Sequence, residues 1–245
     1  MRIKRLTWAG LYVQSGNTAV LIDPLASPTS FFVPTEEAFL PLQPLGQVDA
    51  VLLTHTHLDH FDAESLRNAY GTEIPIYVPE DSVREVLQAG FTKVIGVRVG
   101  ESYPLGDLSA IVADSVDGFG FPQVAWIVSD GTHKLIHTGD TLWHGYWWKI
   151  KRLYGPIHYA FLPVNGPMLE VNGVTPSHQP AAMTPEQAVS AAHLLAVEQF
   201  IPIHYQTFHS PPLYAETADV LGRLQQASRE LDVHLHIVPP GEWVS

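Results

Sequence analysis

The chain has no cysteine among its 245 residues. That excludes disulfides, iron–sulfur clusters and thiolate ligands, so any metal must be held by His, Asp, Glu, backbone or water. Basic residues are also scarce: 13 Lys and Arg stand against 25 Asp and Glu, a formal net charge of −12. A protein that holds nucleic acid carries a basic footprint, and the chain has no basic run, so no nucleic-acid partner is expected. No apolar run approaches the roughly 20 residues a membrane helix needs. Behind the early basic residues of MRIKRLTWAG there is no apolar stretch or small-residue cleavage site. No signal peptide is read there, and a cytoplasmic location is expected. There is no low-complexity tract and no break in composition. With 46% hydrophobic residues, 1–245 reads as a single domain with ample core.

What the chain has in quantity is histidine, 13 residues in all. Three of them fall in Thr54-His55-Thr56-His57-Leu58-Asp59-His60, directly after the apolar run VDAVLL. In extended chain, side chains two apart share a face, so His55 and His57 can reach one cation together. Leu58 is expected to point back to the core. Asp59 and His60 lie where the chain turns toward the next helix and can serve a second cation. A strand end holds such ligands firmly.

Around this motif the pattern predicts strands at 49–54, 76–79, 93–98, 108–113, 123–129, 133–138, 158–163, 199–203 and 233–238. Helices are predicted at 62–70, 80–89, 184–197 and 214–229, with Thr184 as N-cap and Pro185 at the first helical position. Residues 24–47 hold five prolines and the Phe31-Phe32 pair, and read as a long loop. Strands first, then strands mixed with helices, predict a layered α/β or α+β domain.

His-x-His-x-Asp-His after an apolar strand resembles the signature of the metallo-β-lactamase superfamily of metal-dependent hydrolases. The resemblance implies an α+β fold, a four-layer αββα sandwich with a metal centre at one edge of its two sheets. Three later segments extend it. Gly139-Asp140 ends a strand in KLIHTGDTLWH, where the family's metal-bridging aspartate stands. His204 ends the strand in FIPIHYQTFH, at the place of the last histidine ligand. Asn165 lies in FLPVNGPM, which is similar to a subgroup that includes L-ascorbate 6-phosphate lactonase.

The implied metal ligands are thus His55, His57, Asp59, His60, Asp140 and His204, with Asp59 and Asp140 also catalytic. One departure stands out. The family carries a further histidine between the first motif and the Gly-Asp, and the matching segment SAIVADSVDGFG has none. Asp114 is expected to replace it as a ligand, with Asp117 as the alternative. A carboxylate in that place hardens the site toward Mn²⁺ or Mg²⁺. The implied cofactors are two divalent metal ions, Zn²⁺ or Mn²⁺, with Fe²⁺ also open. Trp143, His144 and Asn165 are expected to border the substrate, although the Trp143–Trp148 run also reads as an anchor between a helix and the sheet.

The function implied is hydrolysis of an ester, lactone or phosphodiester bond of a small molecule by metal-activated water. Three rivals are a phosphodiesterase or nuclease of the same fold, an iron oxidoreductase on the same scaffold, and a non-catalytic domain whose first metal site has decayed.

Overall fold

The strand at Val124–Ser129 is buried along its whole length, and its alternation places the layers. Val124, Trp126 and Val128 join one apolar core, while Ala125 and Ile127 join another. A strand buried on both faces belongs to the middle of a sheet covered on both sides. The computed structural model describes residues 1–29, 33–35 and 39–244, and the Phe31-Phe32 pair lies outside the described residues.

The first sheet runs β1 (Arg2–Arg5), β2 (Leu11–Ser15), β3 (Thr18–Ile22), β4 (Ala50–Leu52), β5 (Ile76–Pro79) and β6 (Val94–Val97), in that spatial order. Its first three strands are antiparallel, and β3 to β6 are parallel. The second sheet uses β7 (Ser102–Leu105), β8 (Leu108–Asp114), β9 (Val124–Ser129), β10 (Lys134–His137) and β11 (Tyr159–Pro163). A two-residue strand, β12 (Met168–Leu169), then precedes β13 (Gln199–Ile203), which completes the second sheet at the far side of β11. Here β7 to β10 are antiparallel, and β10, β11 and β13 are parallel. β14 (Tyr214–Ala215) pairs with β12 outside both sheets.

The two sheets face each other across one core, in which Leu11, Val20 and Leu52 meet Val112, Trp126 and Ile201. Helices α1 (Ala63–Tyr70) and α2 (Val83–Gln88) cover the outer face of the first sheet, through Leu66 and Val86 against Val51 and Val78. Helices α3 (Trp147–Tyr154), α4 (Pro185–Leu195) and α5 (Val220–Glu230) cover the second sheet, with Trp147, Val189 and Leu224 against Ile127, Ile136 and Phe200. This is the four-layer αββα sandwich. Thr184 caps α4 as expected: its side chain accepts from the Gln187 N–H, and the Gln187 side chain accepts from the Thr184 N–H.

Two expectations at the C-terminal end need correction. The helix expected from 214 begins at Val220, because Tyr214–Ala215 is tied to β12 and Asp219 caps the helix. The strand expected at 233–238 is reduced to an isolated bridge between Leu235 and Phe200. No helix among the described residues is long and apolar enough to cross a membrane.

Candidate metal centre

The ends of β3, β4, β10, β11 and β13 meet at one edge of the two sheets. The first anchor there is Asp23, the residue after β3, fully buried at φ 42°. Its Oδ1 accepts from the Thr54 N–H at 2.7 Å, and its Oδ2 accepts from the Thr54 hydroxyl and from His60 Nδ1 at 2.8 Å. One carboxylate therefore staples the end of β3 to the histidine motif.

These bonds fix the ring tautomers. A carboxylate only accepts, so His60 carries its proton on Nδ1. The Thr54 hydroxyl has given its proton to Asp23, so at 3.0 Å it accepts from His55 Nδ1. At the other sheet Asn165 donates through Nδ2 to the Tyr214 hydroxyl at 2.6 Å, which turns its Oδ1 toward His204 Nδ1 at 3.0 Å. With Nδ1 so engaged, each of the three imidazoles turns its Nε2 toward the donor clusters at the sheet edge. Such an outer hydrogen bond on the far nitrogen is how proteins orient a metal-binding histidine.

Those Nε2 atoms, with Asp140 Oδ1, are buried and lack any hydrogen-bond partner. Buried polar atoms are normally paired, and a divalent cation is a partner that suits these nitrogen and carboxylate donors. The donor atoms fall into overlapping groups lying within 4.8 Å of one another: His55, His57, Asp117 and Asp140; Asp59, His60 and His204; and Asp23, His55 and His60. His55 Nε2 stands 3.7 Å from Asp140 Oδ2, and Asp59 Oδ2 stands 3.7 Å from His60 Nε2 and 3.6 Å from His204 Nε2. Asp59 is held by Trp8, whose Nε1–H donates to Oδ2 at 3.1 Å and whose ring lies 3.9 Å from that of His204.

The electrostatics agree. Burial drives the Asp140 carboxyl up to about 8; Asp117, Asp59 and Asp23 add to this, against the opposing pull of His60. Burial disfavours a charged His60, but Asp59 and Asp23 outweigh it and hold its pKa up to about 9. His204 goes the other way, to about 4, because burial dominates and Asp59 only partly offsets it. Four carboxylates crowd a pocket that a divalent ion would neutralise.

Gly139 allows the second sheet to approach so closely. It sits at φ 64°, and a Cβ there would lie 2.6 Å from Thr54 Oγ1.

Asp114 does not join the group. Both its oxygens are bound to Lys149 Nζ of α3, at 2.7 and 3.0 Å, which turns them away from the His and Asp clusters. Asp117 stands in its place. Its Oδ1 accepts from the N–H groups of Phe119 and Phe121 at 2.7 and 3.0 Å, and its Oδ2 lies 3.8 Å from His57 Nδ1.

Leu58 also departs from expectation: it is 58% exposed, because the turn after His57 bonds back through the His60 and Phe61 N–H groups and throws residue 58 outward. There it borders a cavity of about 370 Å³ whose polar end is His57, Asp59 and Asp140. The rest of the wall is apolar, from Phe119 and Phe121 through Leu169 and Val171 to Ala182 and Tyr214.

None of the three expected substrate contacts lines this cavity. Trp147 and Ile150 turn α3 into the helix–sheet core, and His144 stacks on Trp147 at 4.2 Å with burial holding it neutral, its pKa down to about 4. Trp143 packs edge-on against Trp148. Asn165 orients His204 instead. Sequence reading missed Asp23, Trp8 and Tyr214; the signal for Asp23 was an apolar strand ending in an acid, AVLID, the counterpart of the strand ending at Gly139-Asp140.

Comparison with known proteins places these features. The family model described as a beta-lactamase superfamily domain matches residues 18–205. A protein of Rubrobacter xylanophilus named as a metal-dependent hydrolase is 28% identical over 93% of this chain and 88% of its own. Among solved structures, the isothiocyanate hydrolase from Delia radicum gut bacteria superposes with a TM-score of 0.79 at 20% identity, covering 100% of this chain and 99% of that one. A metallo hydrolase from Ignicoccus hospitalis gives 0.73 at 24%, over 99% and 97%. With the family match spanning most of its length, and the four-layer sandwich carrying its His and Asp cluster at the sheet edge, the chain belongs to the beta-lactamase superfamily.

Proposed function

We propose that the protein is a metal-dependent hydrolase that cleaves an ester, lactone or related bond of a small molecule. One observation carries this reading: the Nε2 atoms of His55, His60 and His204 and Asp140 Oδ1 are buried and unpartnered, within two neighbouring clusters of His and Asp donors. His55, His57, Asp117 and Asp140 would hold a first divalent ion, Zn²⁺ or Mn²⁺, and Asp59, His60 and His204 a second, with Asp140 between them. Ions bound there supply Lewis acidity and a water whose pKa falls to about 7. The chain's own contribution is preorganisation. Asp23, Thr54 and Asn165 lock the rings, Trp8 fixes the Asp59 carboxylate, and both Asp59 and Asp140 face the cavity where a substrate enters. Phe119 and Phe121 restrict water on the side of His57.

The naming of the 28%-identical relative as a metal-dependent hydrolase supports this reading. Against the nuclease alternative, neither Lys nor Arg lines the cavity among the described residues. Against a decayed site, the missing histidine has a carboxylate, Asp117, standing in its place.

Metal analysis of protein purified without added metal, followed by a screen of lactones, esters and phosphodiesters with Zn²⁺, Mn²⁺ and Fe²⁺, tests the proposal. Bound metal and turnover that disappears with a chelator are expected. A chain that takes up no metal at saturating concentration overturns it.

A further inference from the structure

The cavity beside the metal centre has a lopsided chemistry. Among the described residues, its ionisable lining groups are His57, Asp59 and Asp140, all at one end, and Tyr214. Beyond them, among the described residues, neither Lys nor Arg lines it. A second cavity of about 310 Å³ adjoins it and shares Phe119, Leu169, Val171, Val174 and Ala181. Its remaining walls bring prolines, Ser177, Gln179 and Thr175, and again no charge. The apolar surface continues to the mouth: Leu58, Phe119, Phe121 and Val174 are each roughly half exposed, at 58, 46, 53 and 50%.

An isolated exposed apolar side chain needs no explanation, but a contiguous set leading into a cavity marks a binding surface. The walls are also built. Asp117 accepts from the N–H groups of Phe119 and Phe121, which pins the aromatic loop to the acid that faces His57. Gly118 packs on the backbone of Ala181, where a Cβ would lie 2.2 Å from the carbonyl oxygen, so only glycine lets the two walls close. Leu169 pairs with Tyr214 across β12 and β14 to form the opposite side.

An anionic group on the part of the substrate that lies in this trough, away from the metal end, would find neither Lys nor Arg among the described lining residues, on a chain of net charge −12. Burying a charge without a partner is costly, whereas burying apolar surface is favourable. We infer that the substrate is a molecule with an uncharged alkyl or aryl arm next to the bond that is cut, the arm lying between Phe119, Phe121, Leu169 and Val174. A phosphate or carboxylate on that arm is selected against. This rests on the metal-hydrolase reading, since it takes the metal end of the cavity as the reacting end.

The test is a binding titration of metal-loaded protein with hydroxamates, which chelate a metal and carry a tail of choice. Acetohydroxamate, hexanohydroxamate and octanohydroxamate form the neutral series, and the monohydroxamate of suberic acid carries a carboxylate at the tail end. Metal content is measured in the same samples. Affinity is expected to rise roughly two- to fourfold per added methylene. The suberic probe should bind at least about tenfold more weakly than octanohydroxamate, because its charge enters the apolar trough. Val174→Arg, at the exposed rim, should narrow that gap. If all tails bind alike, or the carboxylate tail binds as well as the methyl-ended one, the apolar-arm assignment is overturned while the metal reading stands. If the protein holds no metal and no hydroxamate binds, the metal reading fails and takes this assignment with it.

Discussion

The first sheet delivers its candidate ligands from a single turn: His55, His57, Asp59 and His60 occupy six residues after β4, closed by bonds from the His60 and Phe61 N–H groups to the His57 carbonyl. The second sheet delivers Asp117, Asp140 and His204 from the ends of β8, β10 and β13, so these three meet only when the strand order and the parallel register of β10, β11 and β13 are in place. Each half carries a buried side chain that positions a histidine, Asp23 on the first and Asn165 on the second. The compact half depends on a local turn, and the dispersed half on the assembled sheet. Ligand loss on the dispersed side should therefore uncouple metal binding from folding most cleanly.

The largest effect is expected from Asp140→Ala. Turnover should fall by more than about a hundredfold, beyond what loss of an outer-shell partner costs, and metal content should fall with it. Metal-free stability should move the other way. The folded carboxyl is raised from 3.8 to about 8, so between those values the unfolded chain loses a proton that the folded one keeps. Stability of the metal-free protein then falls as pH rises through that window, and the variant escapes this loss. At pH 7 metal-free Asp140→Ala should melt at or above the unsubstituted protein. A lower melting temperature together with full metal retention would remove Asp140 from the centre.

Asp117→Ala comes next, and it sharpens the comparison because Asp117 binds both the aromatic loop and the metal group. It should release one ion rather than two, and raise KM more than a pure ligand loss would, as Phe119 and Phe121 lose their anchor. Metal stoichiometry beside steady-state kinetics reads both effects. Unchanged stoichiometry would reduce Asp117 to a loop residue.

The two halves differ in the same way in how much of each was legible. The compact motif, the Gly-Asp and His204 stand at strand ends that hydrophobic patterning reveals; patterning alone predicted a layered α/β or α+β domain, and the αββα order came from the family resemblance. Asp23 was hidden because an acid after a strand looks like an ordinary turn residue. Its three hydrogen bonds come from Thr54 and His60, on a different strand end. Asp114 against Asp117 was undecidable by spacing alone: the choice is made by Lys149, a residue on a helix that strand periodicity could not connect to β8. The tryptophan run misled for a related reason. Aromatics beside a site and aromatics under a helix read alike, and only the packing of Trp147 and Ile150 separates them.

A smaller, paired effect is expected from the two positioning groups. Asp23→Asn and Asn165→Leu should each weaken metal binding by about 10- to 100-fold, the usual cost of an outer-shell partner. Asp23→Asn should also lower stability, since an amide nitrogen in place of Oδ2 cannot accept from the Thr54 hydroxyl and His60. Chelator competition and thermal melts separate the two responses. Equal stability losses in both variants would break the contrast between the halves.

The smallest effect is expected at Asp114, and its smallness is the point. Asp114 and Lys149 form a pair at the helix–sheet boundary, with the lysine side chain 38% exposed. A partly exposed ion pair contributes about 0–1 kcal/mol, and salt screens it. Asp114→Asn should therefore leave metal stoichiometry and turnover where they are and cost at most about 1 kcal/mol in denaturant unfolding, less at high salt. Asp114→His, which would restore the residue type the superfamily signature calls for, should add no metal affinity, because the position faces Lys149 and not His57. If Asp114→Asn instead strips metal as Asp117→Ala does, then the aspartate three residues earlier holds the ion, and the assignment of the dispersed half must be redrawn around it.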